Sequence, residues 1–267
     1  MIGAVGQFIR IVALCLITNS TLASELTLVM PSQLDKGHRY YHELLYEALL
    51  AQGLKLHIEV PSAHIPQKRA FKMLERNKLD IAWMISTKQR DQKYTVVDVP
   101  LTGGLIGRRV LLIPPELQPV FNTIHSLGDL RASGLVAGLG VKWFDVKVWQ
   151  ASGLAYYPQD GEWREIYPKL SVDGDVNYFP RGMNEIIAEA NLHSYLAIEQ
   201  RLILEYNKDF KFYLSGNAAK YKPIVERALK EAQESGLMDK LMQKYWTNTF
   251  DRLNLEERIV IKLTQPE

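Results

Sequence analysis

The chain has 267 residues, a formal net charge of +2 and a single cysteine. Charges of both signs are interspersed without a basic tail, which argues against nucleic acid as a partner, and one cysteine supports neither a disulfide scaffold nor a thiolate metal site. No run beyond the N-terminal segment approaches the roughly 18 apolar residues of a membrane span, so the fold must rest on its core, and the length suffices for one large or two modest domains.

Arg10 is the only charged residue before Glu25. A short apolar run over residues 11–17 follows it, then small and polar residues ending Thr21-Leu22-Ala23-Ser24. This charge order predicts a secretory signal peptide over residues 1–23, cleaved after Ala23, with export to the periplasm. Cys15 follows Leu14, too large for the small residue expected before a lipidated cysteine, so no lipid anchor is expected.

Residues 26–30 read as a strand stopped by Pro31. Residues 39–52 carry Leu44, Leu45, Ala48 and Leu49 at helical spacing, with Gly53 placed to cap the helix. A strand over 54–60, a short helix over 67–77 and a strand over 81–85 complete a β-α-β-α-β series, the pattern of a parallel, doubly wound sheet. A second series begins with a strand over 110–113 and a helix opening at Ser126. It continues with a strand over 135–139, a helix over 143–152, a strand over 176–180 and a helix over 183–190. A strand over 210–214 and two amphipathic helices, 220–234 and 237–245, close the chain. The two halves repeat in architecture only.

The segments "RAFKMLERNKLDIAWMISTKQR", "HSLGDLRASGLVAGLGVKW" and "FYLSGNAAKYKPIVERALKEAQESGLMDKLMQKYW" carry a resemblance. They are similar to the helix, strand and arginine loop, the second-lobe entry, and the return strand with terminal helix pair of the type II periplasmic solute-binding proteins, specifically the amino-acid-binding branch, solute-binding protein family 3. The resemblance spans most of the chain after residue 23. It implies a two-lobed α/β fold, each lobe a mostly parallel sheet flanked by helices, joined by two hinge crossings. Residues 24–104 and 215–267 would form lobe 1 and residues 105–214 lobe 2, with crossings at 101–108 and 212–216. It also implies a monomer that takes a small-molecule ligand and delivers it to a membrane ABC permease or a sensor protein, without cofactor or metal and without membrane insertion of the mature chain. A degenerate sensory module and a dehydratase-type enzyme are the alternatives on the same scaffold. The chain departs from the family early, where Ser32 to Gly37 replaces an aromatic-rich turn, and at Ile85, where the family often has a threonine.

Within this frame Arg90, just past the 81–85 strand, is the expected carboxylate clamp, because a guanidinium presents a planar fork of donors. Ser86 and Thr87 can add hydroxyl bonds. Trp83 can wall the cleft, although a tryptophan inside a strand is more often core. The Gly138-Leu139-Gly140 turn before Trp143 can leave backbone N–H groups for an anion, or be an ordinary strand-to-helix turn. Asp145 falls in the first helical turn, where it can simply favour the helix dipole. Asp175, Tyr178 and Arg181 end a second-lobe strand and are candidates for a ligand amine or carboxylate. Arg69 is a candidate from a helix start. The i, i+4 pair His38 and His42 lacks a third ligand, and Glu185 with Glu189 reads as a solvated helix face.

Overall fold

The computed structural model describes residues 24–34 and 36–266. The signal-peptide reading of residues 1–23 lies outside the described residues.

The first lobe follows the predicted series. Strand β1 (Ser24–Val29), helix α1 (Arg39–Ala51) and strand β2 (Leu54–Glu59) make a parallel β-α-β unit with Leu26 opposite Leu56. The apolar stripe of α1 is buried through Tyr40, Tyr41, Leu44, Leu45, Ala48 and Leu49. Each such aliphatic side chain contributes about 1.5–3 kcal/mol on burial. Gly53 ends the helix in the left-handed region (φ 73°), where its N–H donates to Leu50 O. Helix α2 (Gln67–Glu75), strand β3 (Ile81–Ile85), helix α3 (Lys88–Lys93) and strand β4 (Thr95–Val97) follow. The β1 edge reaches β3 through Asp80, whose N–H donates to Val29 O (2.9 Å) and whose carboxylate accepts from Val29 N (2.8 Å).

The second lobe is built on strand β5 (Arg108–Ile113). After it come helices α4 (Gln118–Phe121) and α5 (Leu127–Ala132), strand β6 (Ala137–Gly140), helix α6 (Asp145–Ala151) and strand β7 (Tyr156–Gln159). Strand β8 (Phe179–Gly182), helix α7 (Ile186–Leu192), strand β9 (Ala197–Ile198) and strand β10 (Leu202–Glu205) complete it. Strand β6 pairs in parallel with β7, a strand the series does not include, and joins β8 through an Ala137–Tyr178 bridge. Around β5 the ladders are antiparallel to β8, β9 and β10, so the sheets are mixed. The strands next to the crossings enter each sheet from the opposite direction, and this reverses their pairing.

Strand β11 (Phe210–Leu214) lies between β3 and β4, antiparallel to both. The chain has therefore re-entered the first sheet by Phe210, and the return crossing is the short stretch 206–209 rather than 212–216. It runs beside the outward crossing: Tyr206 N donates to Gly107 O (3.0 Å) and Leu101 N to Phe210 O (3.0 Å). A Cβ on Gly107 would lie 2.4 Å from Tyr206 O and 2.6 Å from Lys208 O, so only glycine lets the two backbones approach this closely. Asp209 staples them, its carboxylate accepting from Thr102 Oγ1 (2.6 Å), Thr102 N (3.1 Å) and Gly104 N (2.7 Å). Burial pushes this carboxyl above its ordinary range, opposed by those donors.

Helices α8 (Lys222–Glu234) and α9 (Leu237–Leu253) pack on α1. Beyond them the chain does not stay in the first lobe, as the 215–267 assignment expects. A strand missed in the sequence, β12 (Ile259–Lys262), pairs in parallel with β10 at the edge of the second sheet. Arg258 locks this third passage, donating from Nη1 to the carbonyls of Glu199 (2.7 Å) and Leu202 (3.1 Å).

Candidate functional site

A cleft of about 460 Å³ lies between the lobes. Its first-lobe wall is aromatic. Trp83 is half-buried in the middle of β3 and lines the cleft instead of filling the core, stacked on Tyr41 at 4.5 Å with a 12° interplanar angle. Behind it His42 Nε2 donates to Pro31 O (2.9 Å), and the ring meets Trp83 edge-on. Burial lowers the His42 imidazole to about 4 despite the Pro31 bond, and neighbouring His38 lowers it further.

Arg90 also lines this wall. The stretch after β3 is not the loop its sequence suggests: Thr87 N-caps α3, its hydroxyl accepting from Arg90 N (3.1 Å). The cap orients the short helix so that the Arg90 side chain turns back over the strand end. Nη1 donates to Ile85 O (2.5 Å), and Cζ sits 5.1 Å from the Phe71 ring centre. Among the described residues its guanidinium makes no other hydrogen bond and meets no carboxylate within ion-pair distance. Burial holds its pKa below the ordinary arginine value.

The second-lobe wall is an ion network. Arg109, from the buried face of β5, lies 2.9 Å from Asp145 Oδ1 through Nη2, and its Nη2 donates to Tyr206 Oη (2.7 Å). Tyr206 Oη in turn donates to Asp145 Oδ1 (3.0 Å). Asp145 is thus the partner of a buried arginine, a larger role than a helix-dipole charge. Arg181, at the end of β8, is held bidentately by Glu189: Nε to Oε2 and Nη2 to Oε1, each 2.7 Å. Glu185 Oε2 adds a contact at 3.0 Å to Arg181 Nη2 and one at 3.8 Å to Arg109 Nη1. Burial works against the Arg181 charge, but Glu185 and Glu189 outweigh it and hold the guanidinium ionised well above its ordinary range. The expected solvated face is therefore an ion-paired one, with Glu189 buried at 6% exposure and Glu185 half-buried.

The other candidates fall elsewhere. Ser86 uses its N–H on Asp209 O (3.0 Å), and neither it nor Thr87 lines the cleft. Arg69 is exposed on the outer side of α2 and Asp175 on a surface turn, because both stand on the face that solvent takes. Tyr178 is fully buried, its hydroxyl accepting from Trp149 Nε1 (3.0 Å). Gly140 makes room for an indole, not an anion: a Cβ there would lie 2.7 Å from Trp143 Nε1. Trp143 itself lines the cleft, stacked on Phe179. His38 Nδ1 accepts from Gln33 N (3.0 Å), so both members of the histidine pair serve the backbone, and among the described residues no cluster of three potential ligands could hold a metal ion.

Three lining residues carry no signal in the sequence. Arg109 sits in a charged pair, Arg108-Arg109, that reads as surface until strand alternation puts one side chain in and one out. Asn184 Oδ1 and His64 Nδ1 are buried at the cleft without a hydrogen-bond partner among the described residues. Across the mouth, His64 Nε2 lies 3.2 Å from Glu162 Oε2 and Lys68 Nζ 3.3 Å from Asp160 Oδ1, so the lobes touch.

No protein-family model matches the sequence, and no curated protein matches it. Solved structures do match in shape. A putative binding component of an ABC transporter from Wolinella succinogenes, complexed with lysine, is 16% identical with a TM-score of 0.60, over 88% of this chain and 100% of that one. An arginine-specific periplasmic binding protein from Salmonella typhimurium is 13% identical with a TM-score of 0.60, over 84% and 100%. An ancestral amino-acid-binding protein described as a precursor of cyclohexadienyl dehydratase is 15% identical with a TM-score of 0.57, over 84% and 96%. The two-lobed type II fold read from the sequence is thereby shown, and the resemblance to amino-acid-binding periplasmic proteins of ABC transporters holds at the level of the fold.

Proposed function

We propose that this is an exported solute-binding protein that captures a small, polar, carboxylate-bearing, amino-acid-like solute between its lobes and delivers it to a membrane transporter. The observation that carries this reading is the state of Arg90. Its guanidinium fork opens on a cleft of about 460 Å³, with one bond to its own strand and, among the described residues, no carboxylate partner. A solute carboxylate would complete the fork, and Asn184 Oδ1 on the facing wall would accept an N–H of the same solute. Trp83 and Tyr41 supply an apolar face for the rest of the molecule. Neighbours of this fold hold amino acids, lysine in one case, and work with ABC transporters, which supports the same class of cargo here. Complementary donors suffice for a binder, and both second-wall glutamates are already engaged with arginines, so we read the cleft as binding rather than catalytic.

A thermal-shift screen of amino acids and organic acids, followed by calorimetry and product analysis on each hit, tests the proposal. The expected result is saturable binding of a carboxylate-bearing solute that is recovered unchanged. A converted solute would establish the enzyme alternative, and binding confined to uncharged sugars would overturn the carboxylate reading.

A further inference from the structure

The Arg181 guanidinium occupies a complete cation cage. Its Cζ lies 4.4 Å from the Trp163 ring centre, 5.0 Å from Phe179 and 5.1 Å from Trp143. Each distance is within the range in which a cation is attracted to an aromatic face. Glu189 grips one edge of the fork at 2.7 Å twice, and Glu185 meets Nη2 at 3.0 Å. Aromatic walls with carboxylates at the fork edge are what recognition of a guanidinium compound requires, and here the protein's own side chain fills the place. Arg181 is 4% exposed, yet it and the cage members Trp143, Trp163, Glu185 and Glu189 line the cleft.

The charge inventory of the cleft points the same way. Among the described residues its acidic lining is Asp145, Glu185 and Glu189, and each is within ion-pair distance of Arg109 or Arg181. None of these three is left for a cationic side chain of a ligand, while Arg90 is left for an anion. Displacing Arg181 would also strand a buried carboxylate pair, and breaking a buried ion pair costs far more than a surface one.

We propose that Arg181 is a specificity-determining residue that fills the cation compartment of the cleft in cis, so that the site rejects solutes with a guanidinium or ammonium side chain and takes acidic or neutral ones. The inference rests on the cleft being a solute site, but its central claim, a filled guanidinium cage, can be tested without the natural solute. Arg181→Ala empties the cage and leaves Glu185 and Glu189 facing it. Methylguanidinium should bind the variant saturably and raise its melting temperature, with an affinity about ten-fold or more above any residual binding to the unaltered protein. Sodium chloride at equal ionic strength, whose cation offers no fork to the glutamates and no flat face to the rings, should not. The unaltered protein should bind neither L-arginine nor L-lysine.

Where Arg181→Ala does not fold alone, refolding in methylguanidinium chloride against sodium chloride at equal ionic strength decides: folded protein only with the former supports the cage, and equal yields overturn it. A folded variant indifferent to methylguanidinium, or L-arginine binding to the unaltered protein, would also overturn it. Failure of the solute screen with methylguanidinium binding intact would sink the transport reading and leave the cage standing. The opposite pattern would do the reverse.

Discussion

The two walls of the cleft use the same residue for opposite ends. On the first-lobe wall Arg90 holds one backbone carbonyl and keeps its fork open. On the second-lobe wall Arg109 and Arg181 are buried and bonded to three carboxylates and a tyrosine. An arginine whose donors are satisfied by its own chain contributes structure, and one whose donors are left over contributes recognition. Burial alone does not separate them, since burial weighs on the charge of all three.

If this contrast is right, the largest effect should come from breaking the second wall. Arg109→Ala strands Asp145 and the Tyr206 hydroxyl in the core and should cost about 3–5 kcal/mol of stability. Urea unfolding measures it, and a loss under about 1 kcal/mol would mean the network is not structural. Next is the acid response of the first wall. His42 titrates at about 4 in the folded protein, against an ordinary value of 6.5. The unfolded chain therefore binds the proton first, so the stability present above pH 6.5 is lost as pH falls toward about 4, by roughly 2–3 kcal/mol. His42→Gln should flatten that slope in unfolding curves taken at pH 7 and pH 4.5, and Trp83 fluorescence should report the same transition.

Arg90→Ala should leave stability within about 1–2 kcal/mol of the unaltered protein, because one backbone bond and the contact with the Phe71 ring are lost but no ion pair. It should weaken the solute found by screening by thirty-fold or more, about 2 kcal/mol, with little rescue by Arg90→Lys. Calorimetry beside urea unfolding separates the two effects, and equal losses in both would erase the distinction between the walls. The smallest effect should come from ion pairs away from the cleft. Lys222 and Lys230 hold the Glu226 carboxylate down at about 2. Its contribution is present above the ordinary value of 4.5 and is lost as pH falls toward about 2. Solvent screening keeps Glu226→Gln within about 1 kcal/mol at pH 7.

The first lobe was legible because its strands and helices keep clean periods, and α1 and β3 fall where apolar spacing puts them. Arg90, Trp143, Asp145 and Arg181 could be named as candidates because each stands at or near a strand end, and Trp83 because an indole inside a strand can face a cleft. What they touch could not be read. The partner Glu189 is brought to the cleft by a helix face that looked solvated in one dimension, Arg109 by a charged pair just ahead of the expected strand, and Asp209 by a hinge one strand earlier than expected. Strand β12 is four residues long and follows a helix that runs on to Leu253, so nothing local sets its "IVIK" apart from a fraying tail until β10 offers an edge to pair with.

That last strand changes the mechanics of the molecule. Two bodies joined by a pair of adjacent strands have two soft motions, a bend about the pair and a swivel along it. Here the pair is clasped backbone to backbone at Gly107, and the chain returns a third time, from α9 to β10, at a separate point. A third tether apart from the pair opposes the swivel and leaves only a bend about the line that joins them. A chain cut before Ile259 would regain that second freedom, and its lobes would no longer meet in register.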